Sequence, residues 1–227
     1  IGVAVIDNKM LAGAEALRQA DIACYVAKRK GRNRFHVYAA QDEAEVMSLG
    51  DVGMLNDVKR ALECDGFVLH FQPIVGVSDR RLRMHEVLVR MKGKDGALVA
   101  PGAFIPVAER YCLMPLLDRW VIDKAMDVLE ERARAGQHLR FTVNLSGASL
   151  NDAEVLDVVR ERIKAGGLPV GALTLEITET AAVRHIERVA GFMNELRDVG
   201  CRFALDDFGT GFSSFAYLKH LPVDFIK

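Results

Sequence analysis

The chain has 227 residues, half of them hydrophobic, enough for one large domain or for a smaller one joined to part of another. Its 30 Lys and Arg against 31 Asp and Glu leave a formal charge of −1, so no global basic field recruits a nucleic acid polymer or an anionic membrane, and a nucleotide has to be held locally. Cys24, Cys64, Cys112 and Cys201 are scattered without C-x-x-C spacing, the histidines form no H-E-x-x-H pattern and no apolar run is long enough to span a bilayer, which argues against a disulfide frame, a zinc site and a membrane segment and for reduced thiols in the cytoplasm.

In chain order, Ile1 to Ile6 reads as a strand, Ala12 to Lys30 as a helix and Phe35 to Tyr38 as a short strand entered through a turn at Gly31. The basic residues Lys28 to Arg34 suit a phosphate contact, or simply complement a helix C-terminus; the second reading is favoured. Gln41 to Glu63 repeats Val46, Leu49, Val52, Leu55, Val58 and Leu62 at three- and four-residue steps, an amphipathic connecting helix weakened by Gly50 and Gly53. Such a helix either dimerises and relays a signal or only packs on its neighbours.

From Phe67 onward strands and helices alternate. Strands are predicted at 67–77, 82–91, 140–146, 172–178, 202–207 and 223–227, and helices at 116–135, 153–165, 186–199 and 214–220. Short loops between them make βα units and a mostly parallel sheet of about six strands. The chain opens and stops inside apolar strand-like runs, and is expected to be a piece of a longer protein, with any membrane anchor of the parent upstream.

Side chains alternate faces along a strand, so parity tells which of them converge. Phe141, Val143 and Leu145 face one way and Thr142, Asn144 and Ser146 the other; Leu173, Leu175 and Ile177 oppose Thr174, Glu176 and Thr178; Asp206 opposes Leu205, and Glu86 opposes Val87. Glu86, Asn144, Glu176 and Asp206 therefore point into one interior near the strand ends. A lone Asp206-Asp207 pair before Gly209-Thr210-Gly211 would also serve as a cap for a helix starting near Ser213. Three carboxylates in one mouth cannot neutralise one another, and an all-oxygen set suits a hard cation, Mg²⁺ or Mn²⁺, rather than Zn²⁺. Asp207 beside Asp206 allows a carboxylate to serve two ions, the arrangement used on phosphodiesters, and Lys227 adds a cation to orient water or offset phosphate charge.

Two resemblances attach to these residues. Ile1-Gly2-Val3-Ala4, Ala20-Asp21-Ile22-Ala23-Cys24-Tyr25-Val26-Ala27-Lys28 and Gly31-Arg32-Asn33-Arg34 resemble the C-terminal end of a GGDEF (diguanylate cyclase) domain, over about residues 1–40, without the cyclase signature, so no cyclase activity is assigned. Gln72-Pro73-Ile74, Glu86-Val87-Leu88-Val89-Arg90, Phe104-Ile105-Pro106 with Ala108-Glu109, Val143-Asn144-Leu145-Ser146, Leu175-Glu176-Ile177-Thr178-Glu179, Asp206-Asp207-Phe208-Gly209-Thr210-Gly211 and Leu221-Pro222-Val223-Asp224-Phe225-Ile226-Lys227 resemble, in that order, the EAL-domain family of cyclic di-GMP phosphodiesterases over residues 64–227, with residues 41–63 connecting the two. This second resemblance implies an incomplete TIM-like (βα)₈ barrel with an atypical first strand, and hydrolysis of cyclic di-GMP to pGpG with two Mg²⁺ or Mn²⁺ ions in bacterial second-messenger signalling. It implies Glu86, Asn144, Glu176, Asp206 and Asp207 as metal ligands, Glu86, Asp207 and Lys227 as catalytic, Gln72 and Arg90 along the substrate groove, and Glu179 as stabiliser of the loop after the fourth strand. The signature reads Glu-Val-Leu where the family has Glu-Ala-Leu; the extra methyls of Val87 fall on the helix-facing side. The family's last motifs lie beyond Lys227, so the 227-residue piece is expected to be weak or inactive alone. The alternatives are a non-catalytic cyclic di-GMP receptor and, less favoured, an unrelated enolase-type metal barrel. A homodimer through the EAL domain or the connecting helix is also consistent with the sequence.

Overall fold

The computed structural model of the chain describes residues 1–6, 13–30, 33–42, 49–165, 168–184, 186–209 and 217–227. It forms two compact units, Ile1–Asp57 and Val58–Lys227. The expected turn at Gly31-Arg32, residues 43–48 of the connecting helix and the Thr210 to Phe215 stretch lie outside the described residues.

In the first unit β1 (Gly2–Val3) and β2 (His36–Val37) pair in parallel, linked by α1 (Gly13–Arg29). Gly2 is required here: a Cβ would lie 1.9 Å from the Ala20 carbonyl oxygen and 2.3 Å from the Cys24 nitrogen, so only glycine lets the strand lie this close to α1. Asp42, 2 % exposed, accepts from the Ala39 N–H at 2.7 Å and lies 3.0 Å from His36 Nε2. Burial works to raise its carboxyl, but the Ala39 and His36 contacts and the Lys30 charge outweigh it and hold it below the ordinary value.

α2 (Leu49–Glu63) crosses the boundary between the units. Its end is turned by Asp65, at φ 52°, and by Gly66, where a Cβ would meet the Ala61 Cα at 2.7 Å. The second unit then runs β3 (Phe67–Val75), β4 (Leu82–Lys92), β5 (Leu98–Val99), α3 (Pro101–Arg110), α4 (Met114–Arg134), β6 (Phe141–Asn144), α5 (Ala153–Lys164), β7 (Leu173–Thr178), α6 (Glu179–Arg184), α7 (Ile186–Asp198), β8 (Arg202–Asp206) and β9 (Phe225–Ile226). Single-turn 3₁₀ segments follow β6, at Ser149–Asn151, and precede β9, at Tyr217–His220.

The sheet order is β3-β4-β6-β7-β8-β9, parallel from β4 to β9 apart from β5, which pairs antiparallel with the end of β4. β3 runs antiparallel to β4, with Gln72 opposite Glu86, because a short hairpin rather than a helix joins them. Phe141, Val143, Leu173, Leu175, Ile177, Phe203 and Leu205 are each at most 2 % exposed in the layer under the helices. Phe203 meets Phe192 of α7 at 6.3 Å between ring centroids, and Phe67 meets Trp120 of α4 at 5.4 Å. Val87, 3 % exposed and paired with Val143, belongs to this layer, as its parity requires. α3, α6 and the β5 pairing were not among the predicted elements; α3 carries Pro106 in its interior, although Phe104, Val107 and Ala108 form its buried face.

Candidate active site

The strand register stacks the opposite face in layers. Glu86 pairs with Thr142 and Thr142 with Thr174; one step on, Asn144 pairs with Glu176 and Glu176 with Ala204; above them Thr178 pairs with Asp206. Thr142, Thr174 and Glu176 are each 2 % exposed, so polar groups fill the interior beneath the mouth. β9 brings Lys227 alongside, its N–H bonded to the Leu205 carbonyl at 2.9 Å.

The Lys227 ammonium is the point on which this face converges. Nζ donates to Glu176 Oε2 at 2.6 Å and Glu86 Oε2 at 3.3 Å, and lies 3.7 Å from Asp206 Oδ2. Asn144 Nδ2 donates to Glu86 Oε1 at 3.2 Å. Burial tends to release the ammonium's proton, but the Glu176 hydrogen bond and the charges of Glu176, Glu86 and Asp206 outweigh it and hold the lysine above its ordinary value. Three carboxylates against one ammonium leave the mouth negative, which attracts further cations.

The donor set fits a hard divalent cation. Glu176 Oε1 is buried and has no hydrogen-bond partner, an orphan that costs stability unless something electropositive meets it. Among the described residues no trio of His, Cys, Asp or Glu side chains is arranged around one ion position; the carboxylates gather on the ammonium instead.

Four further predicted residues lie on the strands and loops beside this centre. Asp207 is exposed at the rim in a left-handed conformation, φ 55°, its N–H donating to Asp206 Oδ1 at 2.9 Å. Gln72 stands across from Glu86 on β3. Arg90 lies on the face of Glu86, two alternate positions further toward the strand end, and its guanidinium donates to the Val89 carbonyl at 2.8 Å. Glu179, 4 % exposed, reaches away from its own strand end to the loop after β8: Oε2 accepts from the Gly209 N–H at 2.8 Å and Oε1 from the Tyr217 hydroxyl at 2.6 Å. Burial, followed by the Glu179 bond and charge, pushes the Tyr217 phenol up to about 12.

Two residues of this region escaped the sequence reading. Tyr217 is one; the other is Asp118, 5 % exposed on α4, whose Oδ2 accepts from the Ser146 N–H at 2.8 Å and the Ser149 hydroxyl at 2.6 Å. Burial raises the Asp118 carboxyl, the Ser146 and Ser149 bonds oppose it, and Glu109 adds to the rise. The available signal was an acidic residue inside the apolar stripe Leu117, Val121, Ile122, Ala125. Beside the same strand ends, Glu109, Cys112, Ser146, Thr178 and Arg184 line a cleft of about 540 Å³ that Glu86, Glu176 and Asp206 do not line.

Parallel strands covered by helices, with carboxylates gathered at their C-terminal ends, place these residues where barrel-type α/β folds carry their sites. Residues 55–227 match the EAL domain family, and the chain belongs to it. The chain is 38% identical over 229 residues to the cyclic di-GMP phosphodiesterase PdeB of Shewanella oneidensis, covering all of this chain and 27% of that protein. It is 34% identical over 228 residues to the cyclic di-GMP phosphodiesterase NbdA of Pseudomonas aeruginosa, covering all of this chain and 29% of the relative. The chain thus spans under a third of the length of these relatives. The solved structure of the PaMucR phosphodiesterase in complex with c-di-GMP superposes with a TM-score of 0.71 at 33% identity, over 77% of this chain and 71% of that one. The EAL domain of FimX from Pseudomonas aeruginosa, bound to c-di-GMP, superposes with a TM-score of 0.69 at 31% identity, over 76% of this chain and 69% of that one, and the fold is the TIM-like barrel fold of such EAL domains.

Proposed function

We propose that the protein hydrolyses cyclic di-GMP to pGpG at the mouth formed by Glu86, Asn144, Glu176, Asp206 and Lys227, as a metal-dependent phosphodiesterase of bacterial second-messenger signalling. The observation that carries this reading is the gathering of Glu86, Glu176 and Asp206 on the Lys227 ammonium, with Glu176 Oε1 buried and unpartnered beside it. Glu86, Asn144, Glu176 and Asp206 would hold one Mg²⁺ or Mn²⁺, and Asp207 would serve a second. When bound, such ions supply an acidified water and charge neutralisation on the phosphodiester.

This chain's own residues account for the rest. Lys227, kept protonated by its carboxylate neighbours, offsets phosphate charge and donates toward oxygen. Asn144 orients Glu86 through their hydrogen bond. Arg90 and Gln72, on β4 and β3 flanking Glu86, contact the rest of the dinucleotide. Glu179, through Gly209 and Tyr217, fixes the loop that carries Asp207.

Residues 1–40 are proposed as the end of a GGDEF domain, 41–63 as its connection and 64–227 as part of the EAL domain; the strand-helix-strand unit and its motif order support this. Dimerisation through the EAL domain or the connecting helix, and a cytoplasmic location, belong to the same proposal. Among the described residues no helix is long and apolar enough to cross a membrane, and Cys64 and Cys112 are exposed free thiols. Incubation of the intact protein with cyclic di-GMP and Mg²⁺, followed by chromatography, tests the activity: pGpG formation is expected, and its absence with nucleotide still bound would assign a receptor instead.

A further inference from the structure

The site has a supporting residue on the helix behind it. Asp118 buries a carboxylate against two partners that lie 28 and 31 residues away in sequence, the Ser146 N–H and the Ser149 hydroxyl. A buried carboxylate needs hydrogen-bond donors, and both of these meet it at the one oxygen Oδ2. What it holds is the exit of β6. The Leu145 N–H is bonded to the Glu176 carbonyl at 2.8 Å and the next N–H, of Ser146, to Asp118 at 2.8 Å. Immediately before these two pinned amides stands Asn144, whose amide donates to Glu86. The turn beyond is closed on itself by the Ser149 N–H on the Ser146 carbonyl at 3.1 Å and by the contact between the two serine hydroxyls, also 3.1 Å.

We infer that Asp118 is a positioning residue that acts through Asn144, setting the amide opposite Glu86 and so the affinity of the mouth for its divalent cation. This rests on the function proposed above. With Asp118 truncated, the half-buried Ser146 N–H and the buried Ser149 hydroxyl lose this acceptor, the turn shifts to find another, and Asn144 loses its fixed exit from the strand. Residues that orient metal ligands from behind are typically worth about 10–100-fold in metal affinity. The acceptor, not the charge, performs the task, since one carboxylate oxygen takes both donors; the oxygen of an asparagine does the same.

The test is Mn²⁺ binding by calorimetry on the intact protein, without substrate, for wild type, Asp118→Ala, Asp118→Asn, Asn144→Ala and the double variant Asp118→Ala/Asn144→Ala, with thermal unfolding of each. Asp118→Ala is expected to weaken Mn²⁺ by about 10–100-fold, Asp118→Asn to stay close to wild type, and Asp118→Ala to cost nothing further once Asn144 is gone. Wild-type affinity in a folded Asp118→Ala protein, or additive losses in the double variant, overturns the inference. Should Asp118→Ala not fold, Asp118→Asn and Ser149→Ala decide: both keep the Ser146 anchor and must bind Mn²⁺ nearly as wild type, and a large loss in folded Asp118→Asn overturns the inference. If wild type hydrolyses cyclic di-GMP while the Asp118 variants bind metal normally, only the positioning role falls; if wild type neither binds metal nor turns over, the proposed function falls first.

Discussion

The Lys227 ammonium gathers Glu86, Glu176 and Asp206 at one point of the mouth. Glu86→Ala or Asp206→Ala removes an oxygen from the mouth while leaving the buried layer of Phe141, Leu175 and Phe203 intact, so hydrolysis should vanish and cooperative unfolding persist; retained turnover at saturating Mg²⁺ would contradict the assignment. Ca²⁺, larger and looser in coordination, should inhibit where Mg²⁺ or Mn²⁺ support turnover, and equal rates with Ca²⁺ would count against the proposed metal chemistry. This much of the site was legible in the sequence because period-2 alternation sorts Thr174, Glu176 and Thr178 from Leu173, Leu175 and Ile177 without any tertiary information. Asp118 was not legible by that route: its partners are 28 and 31 residues away, and only the fold brings α4 against the turn after β6. The reach of Glu179 to Gly209, 30 residues on, was hidden for the same reason.

At the scale of elements, the parallel run from β4 to β9 followed from the alternation of strands and helices, but the antiparallel β3 and the helix around Pro106 did not. A period-2 pattern is the same in both directions, so the antiparallel β3 showed only once the hairpin between Val75 and Leu82 was in place. Two element-level contacts give testable outcomes. Arg162 of α5 reaches Asp123, Asp127 and Glu130 on α4, a network that holds the two helices together. Arg162→Ala should cost about 1–2 kcal/mol, beyond a single surface pair because three acidic partners are left facing one another; a lowered melting temperature with unchanged Mn²⁺ affinity is expected. Glu179→Gln can accept through only one of its two terminal atoms, so either the Gly209 N–H or the Tyr217 hydroxyl loses its acceptor. Turnover should fall by about tenfold or more as the loop carrying Asp207 loosens, while a wild-type rate would show that the loop is held by other contacts.

For the whole molecule, the buried Cys201 thiol ties stability to pH. Burial pushes it up from 9.0 to about 12. The folded chain therefore keeps a proton that the unfolded chain gives up above about pH 9, so this contribution is complete below pH 9 and is lost as pH rises through about 12; Tyr217, also raised to about 12, adds in the same direction. Urea unfolding at pH 7.5, 9 and 10.5 should show the midpoint falling only above pH 9, and Cys201→Ala should flatten that fall even if it lowers stability throughout. A thiol reagent at neutral pH should label Cys64 and Cys112 in the native state and Cys201 only on unfolding. Whether the mouth cleaves the dinucleotide is decided by mass spectrometry of cyclic di-GMP incubated with the intact protein in Mg²⁺, beside its Lys227→Ala variant. Stoichiometric pGpG from wild type and none from Lys227→Ala is the expected result; intact cyclic di-GMP recovered from both, or equal pGpG from both, would contradict the account.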